Sequence, residues 1–244
     1  MNQWLLYVLV FLIIFFSSFV HSSAAFGFSV FSMTLLPLFL PLISSAAIVK
    51  VALLTITITM ALNLRKHINY RFIIIPIMLS LVGNTLGFYL LMTTNAELLK
   101  RILGGILVLI GTFMFLTKGN LKMKKSIAAS VFMGFLAGLL GGMFNLAGVI
   151  LVIYYYSAIE DKLEYAASLQ ATFVVSAVYG IILNIVYGNF ARPDMFNLTM
   201  ITIVAVLIGC YYGLKVLKRI KKETIGKLSY SYMIVMGLMM AIYN

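Results

Sequence analysis

Of the 244 residues, 63% are hydrophobic and only 10% charged, far below the roughly one quarter of charged residues that solvates a water-facing domain. Apolar runs near twenty residues long suit helices crossing a ~30 Å hydrocarbon core, and the lack of alternating polarity excludes strands, because backbone groups in lipid must pair internally. The net charge of +12 is no nucleic-acid footprint: thirteen of the eighteen Lys and Arg lie in 65–71, 118–125 and 215–227, between apolar runs, which is the positive-inside pattern.

Ten apolar segments follow in order, the first over about 3–24. Its Ser22-Ser23-Ala24 imitates a signal-cleavage site, but residues 1–4 carry no Lys or Arg and the run exceeds a usual signal core, so it reads as part of the mature fold. His21-Ser22-Ser23, with Gly27 beyond, interrupts the apolar pattern before segments 26–42 and 44–63. A basic hinge, Arg65-Lys66-His67-Ile68-Asn69, leads into 70–92, and 98–117 completes the first five. After the basic linker come 126–143 and 146–157, separated by Gly141-Gly142-Met143-Phe144-Asn145. Segment 146–157 is too short for a comfortable span, so this pair is either two crossings or a broken, re-entrant hairpin. Segments 164–187, 195–216 and 226–243 close the chain.

The two sets of five resemble each other. Ala46-Ala47 with Lys50 matches Ala166-Ala167 with Gln170, Gly83-x-x-x-Gly87 matches Gly209-x-x-x-Gly213, and Gly111 matches Gly237. Order is kept while the offset drifts from 120 to 126 residues, as an internal duplication predicts. The expected organisation is a first membrane repeat over 1–117, a cytoplasmic linker over 118–125 and a second repeat over 126–244. Loop 64–71 holds three basic residues and its counterpart 188–196 only Arg192. Loop 93–101 holds two and its counterpart 215–227 six. Opposite bias in equivalent loops predicts halves of inverted topology, with about eight spanning helices and broken hairpins.

Breaks at matching places in two halves point to a transporter's binding site. Lys50 lies about seven residues into its helix, where an ionised group costs ~2.5–3.5 kcal/mol on insertion scales. It either snorkels to the interface or faces a cavity; its repeat-equivalence to polar Gln170 favours the cavity, where an ammonium would attract an anion. Asn145 and the Ser22-Ser23 pair sit at the presumed breaks, where free N–H groups at helix starts favour anions; the alternative is that they satisfy interrupted backbone. His21 is a candidate proton relay or a packing residue. Thr172 and Asn184 are neutral donors, either to an anion or between helices. Gly83, Gly87, Gly209, Gly213 and Gly134-x-x-x-Gly138 are expected to let helices approach closely. Cys210 reads as packing, the tyrosines 154–156 as interfacial anchors.

Gly134-x-x-x-Gly138-x-x-Gly141-Gly142 with Gly148 beyond, the Ala-rich start of the next helix, the basic hinge and the paired Gly-x-x-x-Gly helices together resemble the sulfite exporter TauE/SafE family over almost the whole chain. The first half departs from it, with Ser22-Ser23 where the second has Gly141-Gly142. The resemblance implies a multi-pass permease of a bacterial plasma membrane that exports a small anion such as sulfite or a sulfonate. An anion channel and a non-transporting scaffold subunit are the competing readings, and a homo-oligomer is compatible with either. No paired intramembrane carboxylates, His-Glu-x-x-His helix, Cys/His cluster, Gly-x-Ser-x-Gly turn or P-loop is present, so neither an enzyme nor a cofactor or metal is expected.

Overall fold

The computed structural model describes residues 3–24, 27–117, 126–191 and 193–217, together with 231, 234, 235 and 237–239. These contain nine long or medium helices and no strand: α1 (Gln3–Ala24), α2 (Phe28–Leu35), α3 (Leu42–Leu64), α4 (Tyr70–Thr93), α5 (Ala96–Thr117), α6 (Ile127–Phe144), α7 (Ala147–Ala158), α8 (Lys162–Val186) and α9 (Met195–Leu217). All but α2 and α7 are long and apolar enough to cross a membrane. The protein is a polytopic all-α membrane protein. The linker 118–125, Arg192 and most of segment 226–243 lie outside the described residues.

Helix starts are set by local chemistry. Asn69, Ser126 and Asp161 each accept a hydrogen bond from the backbone N–H three residues on, at 3.0, 3.1 and 2.7 Å, satisfying one of the donors that a helix start leaves unpaired. Segment 26–42 is not one helix. A 3-10 turn over Leu36–Leu38 with Pro37 near its start follows α2, and Pro41 stands immediately before α3; proline opens a turn of helix readily but cannot continue one.

Both short helices fold back on the long helix before them. Phe16 meets Phe31 at 5.5 Å between ring centroids and His21 meets Phe28 at 6.4 Å, so α2 runs antiparallel to α1. The Ser130 and Tyr154 hydroxyls are bonded to each other, and Gly141 lies opposite Ala147, so α7 runs antiparallel to α6. At 1.5 Å per residue, twelve-residue α7 covers about 18 Å, half a bilayer. The hairpin is broken at Asn145, with a short second arm, as the sequence interruption at 141–145 predicts.

Glycines set the closest packing. On α6, a Cβ at Gly138 would lie 2.6 Å from Ser80 Cα of α4, and one at Gly134 2.8 Å from Pro76 Cα. From the α4 side, Gly83 faces the Phe135 carbonyl and Gly87 that of Leu139. Between α9 and α1, Gly209 faces the Phe15 carbonyl and Gly213 that of Phe19. The two pairs of contacts correspond position by position: 15 and 19 become 135 and 139, while 83 and 87 become 209 and 213. The same drift from 120 to 126 was legible in the sequence motifs.

Helix ends give direction. At one end of the bundle, the Asn69 backbone N–H donates to Ser168 Oγ at 3.1 Å and its side-chain amide to Glu164 Oε1 at 2.6 Å. At the other end, the Asn189 amide approaches Met92 Sδ at 3.6 Å, and the Asn197 amide donates to Tyr7 Oη at 3.3 Å. Deeper in, Lys50 passes Gly180. Position 69 pairs with 164–168 and position 50 with 180, so α3 and α8 are antiparallel, whereas α4–α6 and α1–α9 are parallel.

Candidate functional site

The tips of the two helical hairpins face one cavity. Its walls take in His21, Gly27, Phe28 and Ser29 from the first hairpin, Asn145, Leu146, Ala147 and Gly148 from the second, Lys50 and Leu53 from α3, and Phe173, Ser176 and Ala177 from α8. The open volume is about 40 Å³, room for about three waters at the 10–15 Å³ each requires.

The second tip is built by a tight helix stop. Asn145 takes the left-handed conformation (φ 60°), which Asn tolerates better than other residues with a side chain. Its N–H bonds the Gly141 carbonyl at 3.2 Å, the single bond of a left-handed helix stop, and the Leu146 N–H bonds the Leu140 carbonyl at 3.1 Å. Only one residue then separates Asn145 from α7. The Asn145 amide donates to the Ala46 carbonyl of α3 at 2.9 Å, tying the tip to the helix that carries Lys50. The first tip turns at Gly27, whose φ of 106° is open to glycine and costly to other residues; α2 starts directly after it.

Lys50 is buried, 3% exposed, and it does not snorkel. Eight residues from Leu42 at 1.5 Å each, it stands about 12 Å along α3. Its Nζ donates to the Gly141 carbonyl at 3.0 Å, at the C-terminal end of α6, where the helix dipole favours a cation. No carboxylate borders the cavity among the described residues. An ammonium beside two helix starts makes this corner electropositive. His21 is also buried, and neither ring nitrogen has a hydrogen-bond partner among the described residues. Ser176 accepts a 3.0 Å bond from the Asn84 amide of α4.

The other expected residues are placed elsewhere. Ser22 and Ser23 stay inside the last turn of α1 and face α9: Ser22 Oγ donates to Cys210 Sγ at 3.1 Å, and Ser23 Oγ donates to the Phe19 carbonyl at 2.7 Å and approaches that of Gly213 at 3.2 Å. Gln170 is fully buried with both amide atoms unpartnered among the described residues, but it does not line the cavity with Lys50. Gly142 packs on Asn84 and Phe88 of α4, and Gly148 leaves room for the Phe173 ring. Thr172 bonds Tyr155 at 2.9 Å and Asn184 bonds the Gly180 carbonyl at 2.7 Å, both between protein groups. Tyr154 and Tyr155 are fully buried around Phe72, near the start of α4, while Tyr156 is exposed. Phe28, Ser29, Phe173 and Ser176 were not singled out from the sequence. The signal was there in part, since 173, 176, 177 and 180 form one helical face.

The model of the family described as Sulfite exporter TauE/SafE matches residues 10–240. The chain belongs to that family. TauE/SafE proteins are multi-pass membrane transporters, permeases and not enzymes, and a small anion and the lipid bilayer are the partners that membership implies. Searches of curated proteins and of solved structures found no match.

Proposed function

We propose that the cavity between the hairpin tips is the anion site of a secondary transporter that exports sulfite, a sulfonate or another small organic anion. The observation that carries this is Lys50: a cation 3% exposed, held at a helix break, beside the N-terminal ends of α2 and α7. Burying an ammonium this deep is costly unless it is paired, and an anion arriving in the cavity would pair it. The first N–H groups of α2 and α7, which a helix start leaves without intrahelical partners, would add donors to the same anion, and His21 one donor and one acceptor.

The membrane frame supports alternating access. The chain divides into 1–117 and 126–244, two halves of opposite orientation that meet along α3–α8, α4–α6 and α1–α9, with the cavity between their hairpin tips. Rocking one half against the other would open that cavity to each side in turn. The end carrying Arg65, Lys66 and Arg71 is the cytoplasmic one by the positive-inside rule, and a negative cytoplasm drives anions outward.

The test is efflux of sulfite from loaded proteoliposomes. Lys50→Ala is expected to reduce it at least tenfold, the scale of one lost charge-assisted hydrogen bond, while exposed Lys66→Ala leaves it unchanged. His21→Phe, which keeps ring volume and removes both nitrogens, is expected to reduce it less. Wild-type efflux from a well-folded Lys50→Ala protein would remove the site from this cavity.

A further inference from the structure

Gly180 sits on α8 one turn beyond Ser176 and Ala177, at the end of the stripe that faces the cavity. A Cβ built on it would collide with Lys50 Cε and lie 2.9 Å from Cδ and 3.1 Å from Nζ. Its three nearest neighbours all belong to the Lys50 side chain, and none is backbone. This separates Gly180 from Gly83, Gly87, Gly134, Gly138 and Gly142, whose missing side chains admit the backbone of a packed helix. Lys50 leaves α3 and must reach the Gly141 carbonyl at the hairpin tip, and its aliphatic stem runs directly over the bare Cα of Gly180. The Gly180 carbonyl is also held, accepting the Asn184 amide at 2.7 Å, so the local backbone is braced.

We propose that Gly180 is a positioning residue for the anion site: its missing side chain is the groove that lets the Lys50 stem cross α8 and deliver the ammonium to the tip of the second hairpin. The inference rests on Lys50 being the anion-binding cation. It adds a residue that never touches the anion and acts only through where it allows Lys50 to go. A methyl group at 180 displaces the flexible stem and not the helix, so the bond to Gly141 is lost while α3 and α8 stay packed. Alanine is the better helix former, so the backbone itself raises no objection.

A double-mutant cycle on sulfite efflux from proteoliposomes tests this, with the half-saturating concentration and the maximal rate measured separately. Gly180→Ala in the wild-type background is expected to raise the half-saturating concentration roughly tenfold with little change in thermal stability. In the Lys50→Ala background, where no stem remains to be displaced, the same substitution is expected to change it less than twofold. An equal effect in both backgrounds would overturn the proposal, since Gly180 would then serve helix packing; so would no effect in the wild type. If Gly180→Ala alone fails to fold, recovery in the Lys50→Ala, Gly180→Ala pair still identifies the stem as the obstruction, and a pair that also fails overturns it. Wild-type efflux from Lys50→Ala alone would instead refute the anion-site reading, and this inference with it.

Discussion

Asn145 does two separable jobs, and the choice of substitution can divide them. Its backbone occupies the left-handed region that stops α6, and its side-chain amide holds the tip to Ala46 of α3. Asn145→Gly keeps the backbone conformation at no steric cost and removes the side-chain amide with its bond to Ala46 and its contact with Met33 Sδ, an expected loss of about 1 kcal/mol. Asn145→Leu loses that bond and also forces a branched side chain into the left-handed region, adding about 1–2 kcal/mol. Thermal unfolding in detergent is therefore expected to rank wild type above Asn145→Gly above Asn145→Leu; equal stability of the two variants would mean that the left-handed stop contributes nothing. The sequence singled out Asn145 and Lys50 for a physical reason, as polar groups stranded in apolar surroundings need partners. It misled about Ser22 and Ser23 because a serine inside a helix can be satisfied by a neighbouring helix, as Ser22 is by Cys210 of α9, or by its own. Ser23 uses its own, through the Phe19 carbonyl, so α1 runs on to Ala24 without a break there.

Long helices were read most accurately, because a hydrocarbon core imposes both their length and their polarity. Predicted segments 3–24 and 70–92 correspond to α1 (Gln3–Ala24) and α4 (Tyr70–Thr93). The short hairpin arms were less legible: α2 ends well before 42 because the two prolines act locally, and apolar content carries no record of them. Close helix packing was legible in the glycine spacing, and it yields a stability contrast. Gly138→Ala would push a methyl group into the Ser80 backbone of α4, which cannot rotate aside, and overpacking of this sort costs typically 1–3 kcal/mol. A Cβ at Gly105 of α5 meets nothing within 4 Å. There the gain in helix propensity, up to about 1 kcal/mol, is unopposed by the rest of the described chain. Size-exclusion survival after heating is expected to fall for Gly138→Ala and to hold or rise for Gly105→Ala. The reverse order would mean that α4 and α6 are not in close contact in the membrane.

At the scale of the whole molecule, hydrogen bonds say which loops share an end, and loop charges propose which end faces the cytoplasm. Hydrogen bonds place the loop 65–69 and the start of α8 at one end, and the loops after α4 and α8, with the start of α1, at the other. Loop charges, read without any contact, assign the first of these ends to the cytoplasm. The folded-back α6–α7 hairpin starts and finishes at the first end, which places Ser126 and Ile159 there together. The arrangement is open to direct measurement in a Cys210→Ala background, which removes the chain's single thiol. His67 and Glu160 are exposed at the first end, Asn95 and Ala191 at the second. Single cysteines at 95 and 191 are expected to react with a membrane-impermeant maleimide in intact cells, and those at 67 and 160 only after permeabilisation. Labelling of 95 and 191 only after permeabilisation, with 67 and 160 reacting at once, would keep the fold and reverse its orientation. Reaction of 95 and 160 from the same side would break the inverted relation between the halves, and with it the basis for alternating access.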